Sequence, residues 1–482
     1  NREQARAFRM IAEHSCKTLP DPLHMYIGGV GGTGKSRVIQ ALTDYFACTN
    51  QTRRLRLASY TGIAALNIRG VTLHSALCLA QRKKNAAGSS TRRDLTAMWE
   101  GVEYLFIDEI SMVGCRLLAQ ISEALSDAKG ITDKPFGGIS IIAAGDFAQL
   151  PPVGETRLYA WVNPSRRTSV KKNSAVEVIM GKLLWMCFTD VVILDEVMRQ
   201  KGSANEAFIH LLARLRVGEC TDADFELLNT RLLQNLPTGP YLSQWANAPV
   251  IVSDNATKDA INAQAAIAFA KNSDQSLHWY HCTDKYRGKL VTDSALQQHL
   301  ASLHSGQTAH RLGRIPLALG MPVMVAQNFD VGGGIVNGSI GTLTGIRFTT
   351  DKNTSHRRLL SCAVRIPNCS ALTMPSLNDN EFPVLEDTVD MTFTHPHSDK
   401  RVTIKRTQVP IQPAFALTAH KSQGQTFDKI VVDLESCTGT ESPYVMLSRA
   451  TSLDVIIILR SFSKKKIRSR PSEDVRKEFR RL

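Results

Sequence analysis

The stretch at residues 28–36, GGVGGTGKS, constrains this chain more than any other. It follows an apolar run at 23–27 and precedes a segment of helical pattern at 37–47. Within it Gly29, Gly34, Lys35 and Ser36 fit G-x-x-x-x-G-K-[ST], the strand, phosphate loop and helix of a nucleotide site. Glycines let the backbone curl so that amides point at phosphate oxygens, and the helix N-terminus adds a favourable field. Lys35 neutralises the terminal phosphates in this reading, and Ser36 ligates magnesium. A glycine-rich turn before an ordinary helix is the bland alternative. Nucleotide hydrolysis is the starting hypothesis.

The chain has 482 residues, which implies two or more domains around more than one core. A net charge of +14, from 58 basic and 44 acidic side chains, favours a polyanionic partner. Charge alone fits an acidic membrane surface or mere solubility equally well. No apolar run approaches a transmembrane helix, and no charged stretch leads into an apolar signal segment. Ten cysteines lack paired metal-ligand spacing and read as reduced, intracellular thiols. The first residue is Asn1 rather than methionine, the expectation for a fragment of a larger protein.

Other polar groups fall at strand ends. A strand at 104–107 ends in Asp108-Glu109, which sets two carboxylates where a magnesium nucleotide would sit across from Lys35. Asp108 holds the metal directly or through water in this reading, and Glu109 polarises the attacking water. An apolar run at 139–144 leads into GDFAQLPP, whose Gln149 carries both donor and acceptor and senses the terminal phosphate or orients water. A third strand, 191–194, leads to Arg199, which neutralises phosphate charge or pairs with Glu196 at the surface. Gln4, on a helix just before the loop, has the amide edges to read adenine, or is simply solvated.

Nucleic-acid contacts read less sharply. Thr61 follows a strand at 56–60 and either binds a phosphate at the next helix terminus or acts as its N-cap. His74 contacts a strand or closes a local polar network. Residues 81–94, QRKKNAAGSSTRRD, form a basic excursion. His278, His281 and Cys282 lack convincing zinc spacing and read as a surface or core cluster. Asn337-Gly338 signals a hairpin turn. Residues 346–400 show short β-like pieces and read as an inserted β-rich module. The regular pattern returns at 415–418, followed by His420, Ser422 and Thr426 as neutral contacts to phosphates or bases, with Gln423 coupling that surface to nucleotide. Arg449 is the second phosphate-facing arginine. Residues 461–482 read as a basic tail.

Motifs in this order resemble superfamily 1 helicases, specifically the Pif-type 5′-to-3′ DNA helicases and their relatives in Helitron transposons. The resemblance rests on REQ at 2–4, GGTGKS at 31–36, TGIAA at 61–65, TLHS at 72–75, DEISM at 108–112 and GDFAQLPPV at 145–153. It continues through VMRQ at 197–200, VNGSIG at 336–341, TAHKSQGQTFDKIVVDL at 418–434 and YVMLSRATS at 444–452. It implies an α/β fold of two RecA-like parallel-sheet lobes: 1–200 with a small excursion around 75–98, and 201–460 with a β-rich insertion around 346–400. It implies ATP and Mg2+ as cofactors, with Ser36 and Asp108 at the metal. Gln4, Gly29, Gly31, Gly32, Thr33, Gly34, Lys35, Ser36 and Gln423 are then the nucleotide contacts. Lys35, Asp108, Glu109, Gln149, Arg199 and Arg449 carry hydrolysis, and Thr61, His74, Asn337, His420 and Ser422 approach single-stranded DNA. The implied partners are single-stranded DNA and tailed or forked duplexes rather than a membrane, with a monomeric motor, other domains of a larger replication or transposition protein, and nuclear residence. Gly114-Cys115 departs from the family's Asp-Gly order. An RNA helicase and an ATP-regulated DNA clamp are the competing readings.

Overall fold

The computed structural model describes residues 1–79, 89–161, 172–200, 205–351, 354–367, 369, 377–394 and 401–482. Parts of the expected basic excursion at 81–94 and of the 346–400 region lie outside the described residues.

The first lobe is built on six strands: β1 (His24–Gly29), β2 (Leu55–Ser59), β3 (Val71–Thr72), β4 (Tyr104–Asp108), β5 (Ser140–Gly145) and β6 (Asp190–Leu194). They form one parallel sheet in the order β3-β2-β4-β5-β1-β6. Parallel strands covered on both faces read as unbroken apolar runs. Leu105 to Ile107 in β4 and Ile141 to Ala144 in β5 are such runs, every one of them fully buried. Alternate residues then enter two different cores. Phe106, Ile142 and Ala144 pack with helices α1 (Arg2–Ser15) and α2 (Lys35–Cys48), through Ala7, Ile11, Val38 and Leu42. Leu105, Ile107, Ile141 and Ala143 pack on the other face with helices Cys115–Lys129 and Lys172–Met186. These two helices approach so closely that a Cβ on Gly181 would overlap the carbonyl of Cys115. Trp99, fully buried, donates its indole N–H to Ala76 O at 3.0 Å and belongs to this core rather than to any stacking surface.

The second lobe carries a smaller parallel sheet in the order Ala416–Thr418, Val250–Val252, Ile430–Val432, Ile456–Ile458. Its helices Glu206–Val217 and Glu441–Leu447 share a core with Ala148 and Leu150 of the first lobe, so the two lobes meet through apolar contact.

Two expectations change. The β-rich region is wider than 346–400: its two largely antiparallel sheets draw on strands from His278–His281 to Ile411–Pro413. His281 lies in the first of these strands and stacks on His356 with ring centroids 4.0 Å apart. No metal-binding group of His, Cys, Asp or Glu occurs among the described residues, and all ten cysteines are free. The segment 461–482 is not a solvated tail either. It forms the helix Glu473–Arg481, which returns to the first lobe. Val475, Glu478, Phe479 and Leu482 repeat at helical spacing on one face, and their packing outweighs the high charge of the segment. Glu478 accepts the Trp185 indole N–H at 2.7 Å and pairs with Arg481 at 2.6 Å.

Candidate nucleotide and nucleic-acid sites

The loop after β1 needs glycine at two points. Gly32 has φ +93°, and a Cβ there would stand 2.5 Å from Arg199 Cβ. Gly34 has φ +84° and lies so close to the Gln4 amide that a Cβ would overlap it. Backbone of this hand is nearly free for glycine and costly for other residues. Residue 34 is also the N-cap of α2, so the loop delivers its amides to a helix N-terminus.

Opposite this loop a cavity of about 280 Å3 opens between the lobes. Its wall contains Lys35, Asp108, Glu109, Gln149, Arg199 and Arg449, the full set expected to carry hydrolysis, although the last comes from the second lobe. Gly31, Gly32, Gly34 and Ser36 complete the phosphate side. The Lys35 ammonium donates to Gly29 O at 2.7 Å and Val30 O at 3.1 Å. Burial lowers its pKa, while Asp146, Glu109 and Asp108 work to raise it. Burial, and then the adjacent Glu109 carboxylate, push Asp108 up to about 7 against the pull of Lys35. Glu109 adopts φ +55°, a left-handed conformation rare for a side chain that is not glycine and often found at functional sites. Arg199 donates to Ser448 O at 2.7 Å, and burial beside Arg449 lowers its pKa to about 10. Gln149 is buried with its Oε1 unpartnered.

Lys35, Arg199 and Arg449 give this wall three cationic side chains, which suits a polyphosphate. The donor set also fits a divalent cation. The Ser36 hydroxyl and the Asp108 carboxylate are hard oxygen ligands, and Asp108, which holds its proton this strongly, gains from added positive charge.

Other expected nucleotide contacts stand back from the cavity wall. Gln4 touches the loop, but its Nε2 donates to Thr33 O at 3.0 Å and its Oε1 accepts from the Asn1 ammonium at 3.1 Å. Thr33 is fully buried and donates to Val30 O at 3.0 Å, and Gly29 lies beneath it against Leu194. Gln423 donates to Glu109 Oε2 at 2.9 Å, which ties the second lobe to the acidic pair.

Gln423 also lines a second cavity of about 560 Å3. Thr61, His74, Asn337 and His420 line it together, drawn from both lobes and the β-rich region. Thr61 performs the capping role as well: its hydroxyl accepts Ala64 N–H, at the start of helix α3 (Gly62–Asn67). Ser422 does not reach this groove. It is fully buried and donates to Ala419 O at 2.9 Å, because the short helix Ala419–Ser422 turns it inward. Lys421, adjacent in sequence and unmarked by sequence reasoning, lines the groove instead and donates to Asn337 Oδ1 at 2.6 Å. Burial and then Lys258 lower its pKa to about 8. Burial and then Lys421 lower that of His310 to about 4, and burial lowers that of His420. The Lys421 ammonium, held among neutral hydrogen-bonding side chains, gives the groove a group that an anion would stabilise.

The departure at Gly114-Cys115 also has a physical account. Gly114 is the N-cap of helix Cys115–Lys129 and has no side chain to cap it. Glu155 fills that space from another loop and accepts Leu117 N–H at 3.3 Å. A Cβ on Gly114 would lie 2.6 Å from Glu155 Cβ, so the two positions are matched.

The PIF1-like helicase family matches over residues 1–226. A protein of Invertebrate iridescent virus 6, 030L, is 25% identical over 534 residues, covering 95% of this chain and 90% of that protein. ATP-dependent DNA helicase PIF1 of Xenopus laevis is 27% identical over 486 residues. The similarity to PIF1-like helicases thus extends beyond the matched first half of the chain. The alignment takes in 97% of this chain but 64% of the length of the Xenopus PIF1, so the chain spans about two thirds of that relative. Among solved structures, Pif1 helicase from Bacteroides in complex with ADP-AlF3 and ssDNA superposes with a TM-score of 0.69 at 24% identity, covering 100% of this chain and 96% of that one. The fold of two lobes with a β-rich insertion is thereby shared along the whole length.

Proposed function

We propose that this chain is an ATP-dependent DNA helicase that moves 5′-to-3′ on single-stranded DNA and separates duplexes. One observation carries the reading: six side chains suited to phosphoryl transfer, from two lobes, line one cavity, and Gln423 reaches from a neighbouring groove that holds Lys421 to the acidic pair of that cavity. The DNA helicase names of the Pif1 relatives support it, as does the net charge of +14.

In the proposed reaction water attacks the terminal phosphorus of ATP, Glu109 takes the proton of that water, and ADP leaves. Gln149 orients the water through its free Oε1. Lys35, Arg199 and Arg449 neutralise charge that grows on the transferring group. Ser36 and Asp108 would hold magnesium, which supplies charge neutralisation at the phosphates when bound. Because Arg449 and Gln423 belong to the second lobe, a nucleotide draws the lobes together, and product release lets them part. Lys421, His420 and Thr61 then change their hold on a strand in each cycle.

Polarity, monomeric action and work on nuclear DNA rest on the motif resemblance. So does a Helitron context, for which the relatives above provide no support. Strand displacement on matched duplexes with only a 5′ or only a 3′ tail tests the proposal. Displacement of the 5′-tailed duplex with ATP is the expected result. Preference for the 3′ tail overturns the polarity, RNA-selective unwinding overturns the substrate, and ATP-dependent binding without displacement leaves a clamp.

A further inference from the structure

Tyr444 lies on the helix Glu441–Leu447 of the second lobe and is buried. Its hydroxyl accepts the Gly31 N–H at 3.2 Å and donates to Asp146 Oδ2 at 3.0 Å, both partners belonging to the first lobe. Asp146 is fully buried, accepts Ala148 N–H at 3.1 Å, and is gripped by Arg216 at 2.9 Å from the second lobe. The Arg216 guanidinium in turn lies 4.5 Å from the ring centroid of Phe479 on the C-terminal helix.

We propose that Tyr444 is a positioning residue for hydrolysis: its hydroxyl fixes the Gly31 peptide at the terminal-phosphate end of the cavity, and Arg216 and Asp146 fix that hydroxyl. This deepens the function proposed above and rests on it.

Gly31 is where the phosphate loop meets the hydrolytic side chains. A Cβ there would stand 3.4 Å from Arg449 Nη2 and 3.7 Å from both Arg199 Nη1 and Gln149 Nε2. A small rotation of this peptide therefore moves the loop against three groups aimed at the transferring phosphoryl. The bonding direction is unique. The Gly31 N–H only donates and the Asp146 carboxylate only accepts, so the hydroxyl must receive from one and give to the other. Charge keeps it so: burial opposes ionisation of Asp146, but Arg216 outweighs it and holds the carboxyl below its ordinary range. Burial, with Asp146 next, raises the Tyr444 phenol well above its ordinary value, so its proton stays. When the lobes separate, the chain breaks at the Tyr444 hydroxyl and the Gly31 peptide is released, which links loop geometry to lobe closure.

Tyr444→Phe removes the hydroxyl and keeps the packed ring. Two quantities are read on the folded variant: turnover of ATP with saturating single-stranded DNA, and affinity for ADP, which lacks the terminal phosphate. We expect turnover to fall about tenfold, the scale set by loss of a buried hydrogen bond, with ADP affinity within about twofold of wild type. Arg216→Gln, which loosens Asp146 from outside the cavity, lowers turnover in the same direction by a smaller factor. Unchanged turnover in both variants overturns the proposal. So does an equal loss of turnover and ADP affinity, which marks general damage to lobe docking. A wild-type protein that hydrolyses no ATP instead refutes the underlying function, a separate result.

Discussion

Arg449→Met separates catalysis from stability at one buried position. Arg449 is 1% exposed, with Nε donating to Val445 O at 2.9 Å, Nη2 to Ser448 Oγ at 2.9 Å and Nη1 to Gln425 O at 3.4 Å. The two shorter bonds are worth about 1 kcal/mol each when lost. Opposing this, burial lowers the pKa of the guanidinium, so the folded protein holds that cation at a cost which the substitution relieves. The unbranched methionine also fills much of the vacated volume. The terms nearly cancel, and the net change in stability is within about 2 kcal/mol, a few degrees in melting midpoint. Turnover has no such compensation. A preorganised cation at a transferring phosphoryl group contributes about 100-fold or more, roughly 2.7 kcal/mol of barrier. The assay is steady-state ATP hydrolysis with saturating single-stranded DNA, beside thermal melting of the same sample. A folded R449M protein with kcat within about threefold of wild type refutes the assignment.

Other substitutions probe the remaining groups. Glu109→Gln keeps size and removes the proton acceptor, so nucleotide binding persists while hydrolysis drops by about 100-fold or more; wild-type turnover in E109Q contradicts its role. Lys421, with a pKa of about 8, predicts that DNA affinity is highest below pH 8 and weakens as pH rises to 9, because phosphate binds the ammonium form. Titrating affinity over that range should give a slope that Lys421→Met abolishes, since His420 and His310 ionise at lower pH; an equal slope in K421M rules Lys421 out. Glu478→Ala leaves the buried Trp185 N–H without its acceptor and costs about 1–3 kcal/mol. Thermal melting reads that loss, and an unchanged midpoint shows that the C-terminal helix does not hold the first lobe.

Much of the two-lobe core was legible because both sheets are parallel and buried. Runs such as Leu105 to Ile107 carry no alternating pattern to misread, and each ends in the polar residues that reach the cavity. Glycine spacing marked the phosphate loop for the same local reason. What escaped depends on distant partners. Tyr444 is one aromatic residue in an apolar helix, and its hydroxyl gains meaning only when Gly31 and Asp146 arrive from the other lobe. Lys421 and Ser422 are neighbours in sequence, and only the turn of a four-residue helix decides which one faces the groove. In the β-rich region, strand His278–His281 reads HWYH, so histidines hid the boundary. At the C-terminus, dense charge hid a single apolar stripe that finds its partner nearly 300 residues away in sequence, as the Trp185–Glu478 separation of 293 shows.

In the proposed cycle one nucleotide cavity between the lobes controls the grip of the neighbouring groove. The decisive comparison is affinity for the same single-stranded DNA, measured at fixed salt without nucleotide and with a non-hydrolysable ATP analogue. The two affinities should differ by about tenfold or more, equivalent to roughly 1.4 kcal/mol of coupling between sites. Equal affinities in a protein shown to bind the analogue would contradict the account.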